Sequence, residues 1–177
     1  IIPKQNNLAV TQAYHFDADQ YYDSTFAIGT QDNGASFTNN GTDYILCLGG
    51  DVYSRIYCAF NDNIAYFPGA STTNFNIYSP WATAPNPLPE TGNVEPMSFN
   101  PITPTTSFLA NSQIWETSDL NANPVVWRQI FTNNTMNPFV SLNHSLVDSN
   151  LFYAIRMDGY LFRSTNVLSS NPIFDSL

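Results

Sequence analysis

Asp32 and Asp51 are the two carboxylates whose surroundings best suit chemistry. Asp32 lies in Gly29-Thr30-Gln31-Asp32-Asn33-Gly34, and Asp51 follows Leu48-Gly49-Gly50. Two carboxylates facing each other across a cleft, roughly 5 to 10 Å apart, can hydrolyse a glycosidic bond. A short acidic side chain beside glycine also stabilises a tight turn by accepting backbone N–H groups, without any catalytic role. Both readings stand, and the turn asks less of the chain. Asp17 and Asp19, or Asp32, Asn33 and Asp51, could give oxygen ligands to Ca²⁺. No loop has the spacing of a dedicated calcium site, so no cofactor is expected and Ca²⁺ is the one ion to consider. Tyr21 and Tyr22, adjacent in a loop, could form a platform on which a sugar stacks. Tyr53 and Trp81 are the same residue types but are expected in cores.

Cys47 and Cys58 lie eleven residues apart. On neighbouring antiparallel strands they could close a disulfide stabilising by roughly 3 kcal/mol in the chain-entropy model; otherwise they are two buried thiols. His15 and His144 are not at ligand spacing from either cysteine, which argues against zinc. Three sequons, at Asn40, Asn133 and Asn143, would matter only in a glycosylating secretory pathway, and chance accounts for them in a chain this rich in Asn and Thr.

The elements that must hold these residues are strands. No window of helical length sustains apolar residues at i, i+3, i+4 and i+7, so helix is expected only as short turns. Twelve prolines and eight glycines punctuate short apolar runs, as many short strands joined by loops require. The net charge of −9, with only Lys4, Arg55, Arg128, Arg156 and Arg163 positive and none of them clustered, excludes a phosphate-backbone partner. It also argues against an anionic membrane surface, and no apolar run is long enough for a transmembrane segment. The chain opens Ile1-Ile2-Pro3 and closes Asp175-Ser176-Leu177, which reads as a processed product or part of something longer.

One passage occurs twice. Phe99-Asn100-Pro101 leads through Phe108-Leu109-Ala110 to Ile114-Trp115-Glu116-Thr117-Ser118-Asp119. Forty-three residues after Phe99, Leu142-Asn143-His144 leads through Leu151-Phe152-Tyr153-Ala154 to Leu161-Phe162-Arg163-Ser164-Thr165-Asn166. A period of about 40 to 50 residues is that of stacked β-sheet blades. The expected fold is all-β, a single β-propeller segment over 1–177 with about four blades, part of a larger propeller. Blade-like units are expected at 12–41, 44–78, 97–130 and 139–174. A Pro-rich connection at 80–96 is expected as an extended surface loop.

Ser118-Asp119 with Trp127, and more weakly Ser164 and Asn166, resemble the Asp-box (BNR-like) hairpin of sialidase-type and sortilin-type propellers. In that motif the acidic side chain caps turn amides and the aromatic packs between blades, so its role is structural. Gln31-Asp32-Asn33-Gly34 followed by Gly49-Gly50-Asp51 resembles secreted propellers of the sortilin and xyloglucanase superfamily, especially type IX-secreted surface proteins of Bacteroidota. Gly usually follows Gly-Gly-Asp there; here Val52 does. The resemblance implies a non-catalytic extracellular or cell-surface module that binds protein or glycan in adhesion or assembly, beside other parts of a larger chain or complex. Two alternatives are a fragment of a xyloglucanase-like polysaccharide hydrolase using Asp32 and Asp51, and a subunit of an extracellular filament. A sialidase would need clustered arginines, and the four here are scattered.

Overall fold

The structure is a computed structural model. It describes residues 12–18, 24–30, 33–38, 40–43, 45–48, 57–58, 65–68, 74–79, 82–87, 96–103, 105–120, 122 and 124–177; of 14, 45–48, 57–58, 65–68, 74–79 and 82–87 it describes the backbone alone. These residues form four antiparallel sheets of four strands, each built from consecutive strands in chain order. Blade 1 comprises β1 (Ala13–Ala18), β2 (Phe26–Thr30), β3 (Gly34–Thr38) and β4 (Ile45–Leu48). Blade 2 comprises β5 (Tyr57–Cys58), β6 (Ala65–Pro68), β7 (Asn74–Ser79) and β8 (Ala82–Pro87). Blade 3 comprises β9 (Met97–Phe99), β10 (Ser107–Ala110), β11 (Ile114–Thr117) and β12 (Arg128–Phe131). Blade 4 comprises β13 (Phe139–His144), β14 (Phe152–Arg156), β15 (Leu161–Ser164) and β16 (Asp175–Ser176). The duplicated passage thus marks consecutive blades of an all-β fold.

Two boundaries differ from the sequence expectation. Ile45–Leu48, expected to open the second unit, pairs with β3 and closes blade 1. Within 80–96, expected as a loop, Ala82–Pro87 pairs with β7, placing Pro85 opposite Asn76 and Pro87 opposite Asn74. Proline survives there because β8 is the edge strand, whose outer side needs no ladder N–H.

The repeat register also shifts. Met97 pairs with Leu109 as Leu142 pairs with Ala154, and Ser107 pairs with Thr117 as Phe152 pairs with Ser164. Met97, not Phe99, therefore corresponds to Leu142. The slip is two residues, which returns every side chain to the same face, so apolar patterning cannot detect it.

Among the described residues a hydrophobic cluster lies between blades 3 and 4. Phe108, Ala110 and Ile114 from blade 3 meet Phe139, Leu142, Phe152, Ala154 and Phe162 from blade 4. Ring centroids of Phe108 and Phe152 are 5.0 Å apart, and Phe131 packs on Phe162 at 5.1 Å. Full burial of each such ring contributes about 1.5–3 kcal/mol. All of β10 is buried, because blades cover both of its faces. His144 enters this core, with Phe108 at 4.7 Å and Phe152 at 4.8 Å, and its Nδ1 lies 3.3 Å from Ser98 Oγ across the blade boundary. At the outer edge Arg128 pairs with Glu116 in its own blade and donates to the carbonyls of Ser170 (2.7 Å) and Ser169 (3.1 Å) in blade 4.

Candidate binding surface at one end of blades 3 and 4

Three connections meet at one end of these blades: the β10–β11 turn (111–113), the β12–β13 link (132–138) and the β14–β15 turn (157–160). Phe139 N donates to Asn111 O at 2.7 Å, and Met157 N to Pro138 O at 2.9 Å, so the three share one surface. The β14–β15 turn closes by Arg156 N to Tyr160 O and Gly159 N to Arg156 O, both 2.9 Å. Gly159 has φ +92°, with no atom within 4 Å of where a Cβ would stand. Backbone conformation, not space, demands glycine here.

A polar scaffold sits under this surface. Arg156 donates from Nε to Asp158 Oδ1 (2.7 Å) and from Nη2 to Asp158 Oδ2 (2.8 Å), a two-pronged ion pair. Its Nη1 donates to Asn133 Oδ1 at 2.9 Å, and its guanidinium lies 4.7 Å over the Tyr160 ring. Asn137 Nδ2 completes Asp158 with a donation of 2.8 Å. Donating to Asp158 holds the Arg156 pKa above its ordinary value, and accepting from Arg156, helped by Asn137, holds Asp158 below the usual carboxylate value. Each group therefore keeps its charge for the other. Neither is a free acid, base or nucleophile.

Asn133 organises the link. Its Oδ1 also accepts from Thr135 N (3.1 Å) and Thr135 Oγ1 (2.9 Å), and its Nδ2 donates to Asn137 O at 2.9 Å. Its backbone N donates to Gln113 Oε1 in the neighbouring turn. A sequon asparagine that is buried and bonded through its amide nitrogen is not a glycan acceptor. The scaffold presents apolar side chains to solvent: Met136 is 87% exposed, Met157 67% and Tyr160 53%. Arg156 and Asp158 are occupied with each other, and the three exposed apolar side chains stand on the loops that this scaffold ties together.

The residues singled out from sequence fall as follows. Asp32, Asp51, Asp19, Tyr21 and Tyr22 lie outside the described residues. Asp17 is half-buried on β1. Among the described residues no three His, Cys, Asp or Glu side chains come together as a metal site, and no helix is long and apolar enough to cross a membrane. Cys47 lies on β4 and Cys58 on β5, strands of different sheets, and the side chains of both lie outside the described residues.

The turn motif is shifted by one residue. Ser118 is exposed, and the hydroxyl that accepts Asp119 N (3.3 Å) belongs to Thr117 on the buried face of β11. Ser164 Oγ accepts Asn166 N at 3.3 Å, and Asn166 Oδ1 then accepts Ile173 N at 2.9 Å across the loop. A third copy escaped the sequence reading: Thr38 Oγ1 accepts Asn40 N at 3.3 Å and Gly41 N at 3.1 Å. Its signal was present, a Ser/Thr two residues before Asp/Asn at the end of the third strand of blades 1, 3 and 4. Trp127 is half-buried. Arg156 was noted only as a scattered charge, and His144 only as a histidine lacking metal-ligand spacing, because nothing local marks a partner that arrives from another blade.

No family model matches the sequence, and no curated protein matches it. Solved structures do. One, described as an ancestral GH74 enzyme, superposes with TM-score 0.65 at 15% identity, over 93% of this chain and 24% of that one. Another, the WD40 β-propeller domain of Doa1, superposes with TM-score 0.61 at 10% identity, over 91% of this chain and 53% of that one. The chain therefore spans a quarter and about half of those two chains. At such identities the likeness is one of fold: four blades of a β-propeller.

Proposed function

We propose that the chain is a secreted or cell-surface propeller module that binds a protein partner through the end surface of blades 3 and 4. The observation that carries this is the pairing of a neutralised, bonded Arg156–Asp158–Asn133 scaffold with the exposed Met136, Met157 and Tyr160 above it. Methionine side chains adapt to irregular apolar partners. A sugar would call for an open aromatic face, and the Tyr160 ring is already covered on one side by Arg156.

The experiment is binding of the labelled chain to cells of the source organism. The double variant Met136→Lys with Met157→Lys should bind about tenfold more weakly, the effect of losing an interface anchor. Protease treatment of the cells should abolish binding, and glycosidase treatment should leave it intact. Equal binding by the variant, or loss only after glycosidase, would reject the protein-binding surface.

A second reading is supported by the superposition on the GH74 enzyme. The chain would then be part of a polysaccharide hydrolase, with Asp32 and Asp51 as its carboxylates. Release of reducing ends from soluble plant glucans, lost in Asp32→Asn and in Asp51→Asn, would establish it. No release by the unaltered chain would set it aside.

A further inference from the structure

The chain carries three methionines, and the fold sorts them into two kinds. Met97 sits on β9 opposite Leu109 and is 4% exposed. Met136, in the β12–β13 link, is 87% exposed, and Met157, in the β14–β15 turn, is 67% exposed. The two exposed methionines belong to one surface. The amide of Met157 donates to the carbonyl of Pro138, two residues after Met136, at 2.9 Å. A thioether standing in solvent is open to oxidants, whereas one enclosed in a blade reacts only when that blade opens.

The backbone beneath both side chains is held without them. Asn133 accepts from Thr135 N at 3.1 Å and donates to Asn137 O at 2.9 Å, on either side of Met136. Around Met157, Arg156 and Asp158 grip each other through two hydrogen bonds, and Gly159 N donates to Arg156 O at 2.9 Å. None of these bonds uses sulfur, so a change at sulfur alters what the surface offers and leaves the loops in place. Oxidation is such a change, because a sulfoxide is polar where the thioether was apolar. Of the three exposed apolar side chains, Tyr160 alone would keep its character.

We infer that Met136 and Met157 form a paired oxidation site, at which hydrogen peroxide turns the apolar surface polar and releases the partner; the release rests on the binding proposed above. The sulfur lone pair attacks one peroxide oxygen, and the S–O bond forms as the O–O bond breaks. The departing hydroxide takes the proton of the transferred oxygen and leaves as water. Sulfur is oxidised by two electrons to the sulfoxide, and the peroxide is reduced. Two thiols reverse the step under methionine sulfoxide reductases, giving back the thioether with a disulfide and water. Met97 keeps its thioether throughout, since blade 3 encloses it, and so the fold outlasts the change.

The test treats the 177-residue chain with dilute hydrogen peroxide and weighs the peptide around each methionine. Met136 and Met157 should each gain one oxygen about tenfold faster than Met97, with an unchanged far-ultraviolet dichroism spectrum. Retention on a phenyl column should shorten, and both epimer-specific methionine sulfoxide reductases with dithiothreitol should restore it. The double variant Met136→Leu with Met157→Leu keeps the surface apolar without sulfur. Its retention should not move, although Cys47 and Cys58 meet the same peroxide. Equal oxidation of Met97, unchanged retention, or an equal shift in the leucine variant would each overturn the site. On cells, the oxidised chain should bind about tenfold more weakly, and the leucine variant should bind equally before and after peroxide. An untreated chain that binds no cells ends the binding reading and the release with it. A chain that binds equally before and after oxidation ends the release alone.

Discussion

His144 shows how one residue carries a pH dependence for the fold. Burial between Phe108 and Phe152 lowers its pKa from 6.5 to about 4, and a backbone hydrogen bond to Ser149 opposes this too weakly to restore it. Nε2 has no partner of full hydrogen-bond geometry. The folded chain thus prefers the neutral ring, while the unfolded chain takes up a proton below pH 6.5. Stability from this group is complete above pH 6.5, falls as pH drops, and levels off below about 4, a loss of about 3 kcal/mol. Urea midpoints measured between pH 7.5 and 4 should fall in the unaltered chain and stay nearly level over that window in His144→Leu. Asp158 acts at lower pH: its depressed pKa removes stability only as pH falls below the ordinary 3.8. At Arg156 the geometry matters as much as the charge, since lysine cannot make the fork to Asp158 and also reach Asn133. Arg156→Lys should leave the blades folded but speed amide exchange at Thr135, Phe139 and Met157, the amides that tie the end surface together.

At the scale of elements, aromatic packing joins blade 3 to blade 4, and a bracketed turn follows the third strand of blades 1, 3 and 4. Phe108→Ala or Phe152→Ala removes a wholly buried ring from the boundary between blades 3 and 4 and should cost about 3–5 kcal/mol in chemical unfolding. Asn166→Ala removes one acceptor from the amide of Ile173 and should cost about 1 kcal/mol, with faster exchange at that amide and little change in β10 or β14. A hairpin cap is local, so its loss frays one loop. A ring between sheets is shared, so its loss weakens two blades together.

For the whole molecule, the local sequence determined that strands form, that they recur with a blade-like period, and which turn chemistry ends them. Alternating apolar residues such as Phe152 and Ala154 set a face, and a hydroxyl two residues before Asp119 or Asn166 sets a turn, each over a few neighbouring positions. Tertiary structure decided which strand joined which sheet. It closed blade 1 with Ile45–Leu48, made Ala82–Pro87 an edge strand, and moved the repeat from Phe99 to Met97. Alternation repeats every two residues and cannot distinguish registers that differ by two; only ladder pairing and interblade packing can. The same holds for chemistry. Arg156 looked like a stray cation until Asn133, Asp158 and Tyr160 met it, since a charge is neutralised by whatever the fold brings within about 4 Å, however distant in sequence.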